Sequence, residues 1–201
     1  WDFNVAPAGD VNGDGFGDII FGMPSEAGFW PCTPSPGSGV VQVLYGSATG
    51  VSMANNWVLT GCTATGTNAH LGASVAGAGD VNGDGFDDIV VGAPLAEETF
   101  NLDPVGKAFV IYGSITRLPL TPGFGNLGTL VGSTRLMTHH AYGGFGAQVA
   151  PAGDLNGDGY ADVAVGAPAD NTYGTASGMA FVFPGSAAGA DTAIAHLLWW
   201  E

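Results

Sequence analysis

One stretch occurs three times and constrains everything around it: Ala8-Gly9-Asp10-Val11-Asn12-Gly13-Asp14-Gly15-Phe16-Gly17-Asp18, then a near-copy from Ala78 to Asp88, then another from Ala152 to Asp162. Each copy places oxygen-bearing side chains at alternate positions: Asp10, Asn12, Asp14 and Asp18; Asp80, Asn82, Asp84 and Asp88; Asp154, Asn156, Asp158 and Asp162. Packing three carboxylates into nine residues costs repulsion that a hard divalent cation relieves, and such an ion takes about six to eight oxygens at ~2.3 to 2.6 Å. The pattern therefore predicts three Ca²⁺ sites. Glycines between the ligands let the backbone curl, so that a carbonyl of Phe16, Phe86 or Tyr160 can join each set.

The first half of each copy resembles an EF-hand loop, but the twelfth position, where that loop needs a bidentate Glu, holds Phe21, Val91 or Val165. The residues after the loop are also wrong for a helix. Asp88-Ile89-Val90-Val91-Gly92-Ala93-Pro94 is a short β-branched run closed by Gly-Ala-Pro, which reads as a strand. The unit is strand, ion loop, strand. One copy alone would pass as an Asp/Asn/Gly turn without metal; three copies with the same ligand spacing argue against that.

These residues resemble the FG-GAP repeat, the unit of the calcium-binding β-propeller found at the head of integrin α subunits and in many secreted bacterial proteins. The resemblance rests on Phe145-Gly146 before and Gly166-Ala167-Pro168 after the third loop, Leu71-Gly72 and Gly92-Ala93-Pro94 around the second, and Gly22-Met23-Pro24 after the first. It departs at Leu71, at Met23, and at Trp1-Asp2, where the first copy would carry Phe-Gly. It implies an all-β fold of β-propeller-type blades, extracellular calcium, and a role in adhesion.

Composition agrees with short strands and many turns: 46% of the 201 residues are apolar, and 35 are glycine. The basic residues are Lys107, Arg117 and Arg135, against 18 acidic ones, for a formal charge of −15. With no cationic patch to displace phosphate counterions, nucleic-acid binding is excluded. No apolar run approaches the ~18 residues of a membrane helix. The chain lacks an initiator Met and a signal peptide, so it reads as part of a longer or processed product. Calcium loops of this exposed type suit an extracellular, secreted or cell-surface setting.

The loops begin at Asp10, Asp80 and Asp154, giving periods of 70 and 74 residues, enough for a four-stranded antiparallel sheet each. Strand A is expected at 3–6, 73–76 and 147–150, strand B at 18–21, 88–91 and 162–165, strand C at 40–45, 108–112 and 179–183, and strand D at 57–60, 129–131 and 196–200. That makes one repeat domain, 1–201, of three blades at about 1–61, 62–133 and 134–201. Phe109-Val110-Ile111-Tyr112 and Phe181-Val182-Phe183 are apolar at consecutive positions, as in sheets covered on both faces. Three blades are fewer than the four to eight that usually close a ring. The end faces are therefore expected to be covered within a larger or oligomeric assembly, by further blades, a second copy, or head-to-tail self-assembly.

In a blade meander the calcium loops share one rim with the C–D loops. The B–C and D–A loops share the opposite rim, which brings Cys32 and Cys62 together as a candidate disulfide. The same rim gathers Phe29, Trp30, Glu97, Glu98, Phe100, Asp103, Asp170, Asn171 and Tyr173, with His70, His139, His140 and Tyr142. In integrin-like propellers it is the ligand face. Ordinary solvated loops are the plainer alternative.

No Gly-x-Ser-x-Gly elbow, His-Glu-x-x-His or phosphate loop with Lys occurs, and adjacent His139 and His140 point apart in an extended loop. Catalysis is not expected. The reading is a non-catalytic, calcium-stabilised extracellular module that binds a protein partner or further copies of itself. The alternative is a propeller lectin binding glycan, with Trp30, Tyr142, Tyr173, Trp199 or Trp200 stacking on a sugar ring. No Asn-x-Ser/Thr acceptor occurs, so N-glycosylation is not expected.

Overall fold

The computed structural model describes residues 2–27, 37–54, 56–61, 68–98, 101–115, 118, 133–136, 143–172, 177–193 and 196–198, with the side chains of 98, 101–103 and 196–198 left aside. Among these residues every regular element is a strand. Each period yields one four-stranded antiparallel meander. The first sheet is β1 (Asn4–Gly9), β2 (Asp18–Met23), β3 (Val40–Leu44) and β4 (Asn56–Thr60), in that order. The second is β5 (Ser74–Gly79), β6 (Asp88–Ala93), β9 (Lys107–Ile111) and β10 (Ser133–Leu136). The third is β11 (Gln148–Gly153), β12 (Asp162–Ala167), β13 (Met179–Phe183) and β14 (His196–Leu198).

These are the expected strands A to D, with two differences. The fourth described strand of the second sheet is Ser133–Leu136, and the expected 129–131 lie outside the described residues; Leu136 is fully buried and fixes that register against Ala108. A small hairpin, β7 (Glu97–Glu98) with β8 (Asn101–Pro104), occupies what reads from sequence as an irregular loop between β6 and β9.

The sheets stack face against face. Alternation along each strand sends one row of side chains to each neighbour. One core joins Ile20, Val41, Val43, Trp57 and Leu59 of the first sheet to Val75, Ile89, Val91, Phe109 and Ile111 of the second. A second core joins Val90, Ala108, Val110 and Leu136 from the other face of the second sheet to Val149, Val163, Val165, Phe181 and Phe183 of the third. The middle sheet is therefore covered on both faces, and β6 is buried at all six positions.

The glycines of the repeat motif lie where the blades meet. Gly22 approaches Gly72 so closely that a Cβ on Gly22 would stand 2.2 Å from the Gly72 carbonyl oxygen, and the same contact recurs at 1.9 Å between Gly92 and Gly146. Only backbone fits between these strands. Beside that contact Leu71 and Phe145 are fully buried, and Phe145 meets Phe181 edge-on at 5.3 Å and Phe183 at 6.1 Å.

Candidate metal loops

In each sheet the A strand ends in a bulge, at Pro7/Gly9, Gly77/Gly79 and Pro151/Gly153, which bends the chain out of the ladder and into the acidic loop. The loops then fold alike. Asp10 reaches across the turn, its Oδ1 accepting from the Asp14 amide at 3.0 Å and its Oδ2 from the Gly15 amide at 2.8 Å. Asn12 Oδ1 accepts from the Asp14 amide and Asp14 Oδ1 from the Phe16 amide, while Asn12 Nδ2 donates to Asp14 Oδ2. Asp80, Asn82 and Asp84 repeat all five bonds in the second loop, as do Asp154, Asn156 and Asp158 in the third.

The fourth oxygen ligand expected from sequence is buried, where the other three are half-buried or exposed. Asp18, Asp88 and Asp162 are buried at the start of their strands. Each carboxylate accepts one amide from its own loop and one from the turn after the third strand: Val11 and Gly46 for Asp18, Val81 and Gly113 for Asp88, Leu155 and Gly185 for Asp162, all at 2.8 to 3.0 Å. This residue staples the loop to the turn that follows the adjacent strand. Sequence reasoning missed that role; the signal available was that this Asp opens an apolar strand, where a carboxylate needs buried donors. Burial pushes the Asp88 carboxyl up to about 7, opposed by its two amide donors and reinforced by repulsion from Asp84 and Asp80. Asp18 is raised for the same reasons, burial first.

The donors suit a hard cation. Every side-chain donor in the predicted set is oxygen, and the Asp10, Asn12 and Asp14 acceptors each have one hydrogen bond where two can be taken, which leaves a lone pair for a metal. Among the described residues, no three His, Cys, Asp or Glu side chains are gathered tightly enough to form a shell by themselves.

Neighbouring loops are bonded to one another. Asp87 Oδ2 accepts from the Asp10 amide at 2.8 Å, the Asp87 amide donates to the Asp10 carbonyl, and the Ser114 amide donates to the Val11 carbonyl. The ring of Phe86 covers Gly13, and that of Tyr160 covers Gly83.

On the opposite rim, Asp170 is fully buried and its Oδ1 accepts both the amide and the hydroxyl of Thr172, so it shapes its loop and does not project as a recognition group. His70, at φ +52°, is the non-glycine residue with a left-handed backbone among those described; the matching position in the third repeat is Gly144. It borders an open groove of about 440 Å³ with Asp2, Phe3, Asn4, Pro24 and Ala73. Cys32 and Cys62, and with them the candidate disulfide, lie outside the described residues. So do Phe29, Trp30, Phe100, His139, His140, Tyr142, Tyr173, Trp199 and Trp200. No described helix is long and apolar enough to cross a membrane.

The FG-GAP repeat family model matches residues 71–110 and 145–183, the second and third repeats. Integrin alpha-PS2 of Drosophila melanogaster is 30% identical over 189 residues, 90% of this chain and 11% of that protein. Integrin alpha-V of Gallus gallus is 30% identical over 201 residues, 98% of this chain and 16% of that protein. Human integrin alpha-IIb is 41% identical over 126 residues, 60% of this chain and 11% of its own length. The chain thus spans between a tenth and a sixth of the relatives it matches.

Proposed function

Because the chain is built of FG-GAP repeats like those of integrin α subunits, we propose that it is a non-catalytic, calcium-stiffened interaction module of an extracellular or cell-surface protein. The observation that carries the reading is the loop geometry. Three separate stretches fold into the same hydrogen-bonded cradle of oxygen donors, on the same edge of three stacked sheets. A set repeated to the level of single hydrogen bonds suits a shared ligand better than three unrelated turns.

The ligands proposed are Asp10, Asn12, Asp14, the Phe16 carbonyl and Asp18; Asp80, Asn82, Asp84, the Phe86 carbonyl and Asp88; and Asp154, Asn156, Asp158, the Tyr160 carbonyl and Asp162. Bound Ca²⁺ supplies positive charge between carboxylates that otherwise repel. The chain's own residues do the rest. The Asp88 class holds the loop against the turn after the third strand, and the bulge glycine aims the loop outward, so fixing the loop fixes the register of three strands. What the module presents is a stiff edge for a protein partner.

The test is calcium titration by calorimetry, with native mass spectrometry as the count. The expected result is three Ca²⁺ per chain, released by chelator, and two in Asp84→Ala. Absence of calcium binding at millimolar concentration by a folded chain would overturn the reading.

A further inference from the structure

The position before each stapling aspartate is the least alike of the three copies: Gly17, Asp87 and Ala161. In the second copy it faces the first loop. Asp87 Oδ2 accepts from the Asp10 amide at 2.8 Å, and the Asp87 amide donates to the Asp10 carbonyl at 3.2 Å, so both backbone groups of the leading ligand of the first loop are held by one residue of the second. At the next junction the Ala161 amide donates to the Asp80 carbonyl at 3.0 Å, but a methyl group has no acceptor for the Asp80 amide. The other bond is common to both junctions, from Ser114 to the Val11 carbonyl and from Ser186 to the Val81 carbonyl. One carboxylate distinguishes the two seams.

Asp87 is fixed from both sides by the second loop. Before it stands Phe86, whose carbonyl belongs to the oxygen set proposed for the second ion and whose ring covers Gly13 of the first loop. After it stands Asp88, whose carboxylate accepts from Val81 at 2.8 Å and from Gly113 at 2.9 Å. Gly113 is pressed into the same seam: a Cβ there would stand 2.4 Å from the Asp87 carbonyl oxygen and 2.7 Å from that of Val11. The Asp87 carboxylate itself packs on Gly9, where a Cβ would stand 2.3 Å from Oδ2. Drawing Asp80, Asn82, Asp84 and the Phe86 carbonyl onto an ion therefore orders the chain up to Asp87 and leaves that residue little but its own side-chain torsions to settle.

We propose that Asp87 is a positioning residue for the first calcium loop, through which calcium in the second loop strengthens calcium binding in the first. This rests on the calcium-loop reading. An ion in the second loop orders Asp87, and Asp87 in turn presets Asp10, so the first loop has less freedom left to lose when its own ion arrives. The Asp87 carboxylate also adds negative charge beside Asp10, which raises the attraction for a cation there. By linkage the coupling runs equally in the other direction. The second and third loops, joined without a carboxylate at Ala161, are coupled more weakly.

The full chain is titrated with calcium and followed by two-dimensional NMR, in which the Gly15, Gly85 and Gly159 amides, each bonded to the first aspartate of its own loop, report the three sites separately. Asp84→Ala, which empties the second loop, should weaken the first site by about fivefold or more, and the third by less. In an Asp87→Ala background the same substitution should leave the first site within about twofold; the third repeat carries Ala at this position, so the variant keeps the fold. Ala161→Asp should install the missing bond and make the second site depend on the third, read as a larger effect of Asp158→Ala there than in the wild type. Hydrogen exchange in chelator gives a readout without calcium: the Asp10 amide exchanges faster in Asp87→Ala, while Ser114 is protected as in the wild type. A first site indifferent to Asp84→Ala, or an Asp10 amide indifferent to Asp87→Ala, overturns the coupling and leaves the calcium reading standing. A folded chain that binds no calcium at millimolar concentration overturns both.

Discussion

β2, β6 and β12 are nearly the same sequence, Asp-Ile-Ile-Phe-Gly-Met, Asp-Ile-Val-Val-Gly-Ala and Asp-Val-Ala-Val-Gly-Ala, yet they live in different surroundings. β6 is buried throughout, whereas β2 alternates between buried and half-buried positions. The local sequence chooses the strand and sets its register. What covers the second face is decided by stacking order, because among the described residues the first and third sheets pack against a neighbour on one face and the middle sheet on both. Equal motifs are therefore unequal in energy.

That inequality can be tested most sharply in the cores. Phe109→Ala, in the middle sheet, should cost about 3–5 kcal/mol, and Val58→Ala, on the outer face of the first, within about 0.5 kcal/mol; urea unfolding of both gives the comparison. Similar losses would mean that the outer face is covered in solution.

Next in size are the stapling aspartates. In chelator, Asp88→Ala orphans the buried amides of Val81 and Gly113, at about 1–3 kcal/mol each. Asp162→Ala should cost less, because its bond to the Leu155 amide is only part-buried. Equal unfolding free energies would show that the middle staple gains nothing from its deeper position.

Calcium removal is smaller per site: at tenfold excess over Kd, each ion adds about 1.4 kcal/mol. Asp84→Ala should lower the melting temperature in calcium and leave it unchanged in chelator, while Asp14→Ala does the same for the first loop. Equal destabilisation in chelator would contradict a metal role for these two residues, and would leave the stapling residues unaffected.

The smallest effect is expected at His70. A left-handed backbone costs a residue with a Cβ roughly 1–2 kcal/mol, part of which His70→Gly returns as unfolded-chain entropy. The variant should therefore match the wild type or melt up to about 3 °C higher. A clear loss of stability would show that the imidazole holds the junction of the first two blades.

The fold was largely legible because its signals are local. Alternating oxygens with intervening glycines, a β-branched run and a closing Gly-Ala-Pro repeat at periods that suit a four-stranded meander, so strands A to C fall where they were expected. A fourth strand over 133–136 of the second sheet was not foreseen because Ser-Thr-Arg-Leu carries little pattern of its own, and only pairing with β9 selects it. The hairpin at 97–104 was missed for a similar reason: Glu97-Glu98 has no strand propensity, and the pair is held by its partner strand and by Lys107, whose ammonium donates to the Glu97 carbonyl.

By itself the sequence determined the repeat, the oxygen-rich loops and the all-β class, because spacing along the chain dictates which side chains share a turn or a strand face. Tertiary structure alone decided that the Asp88 class holds strands together from a buried position, that Asp87 bridges two loops, and that Leu155 stands exposed where Val11 and Val81 are covered. Each of those depends on residues roughly 20 to 80 positions away or on a neighbouring blade. A repeat specifies its own shape locally; what lies against it is set by its place in the stack.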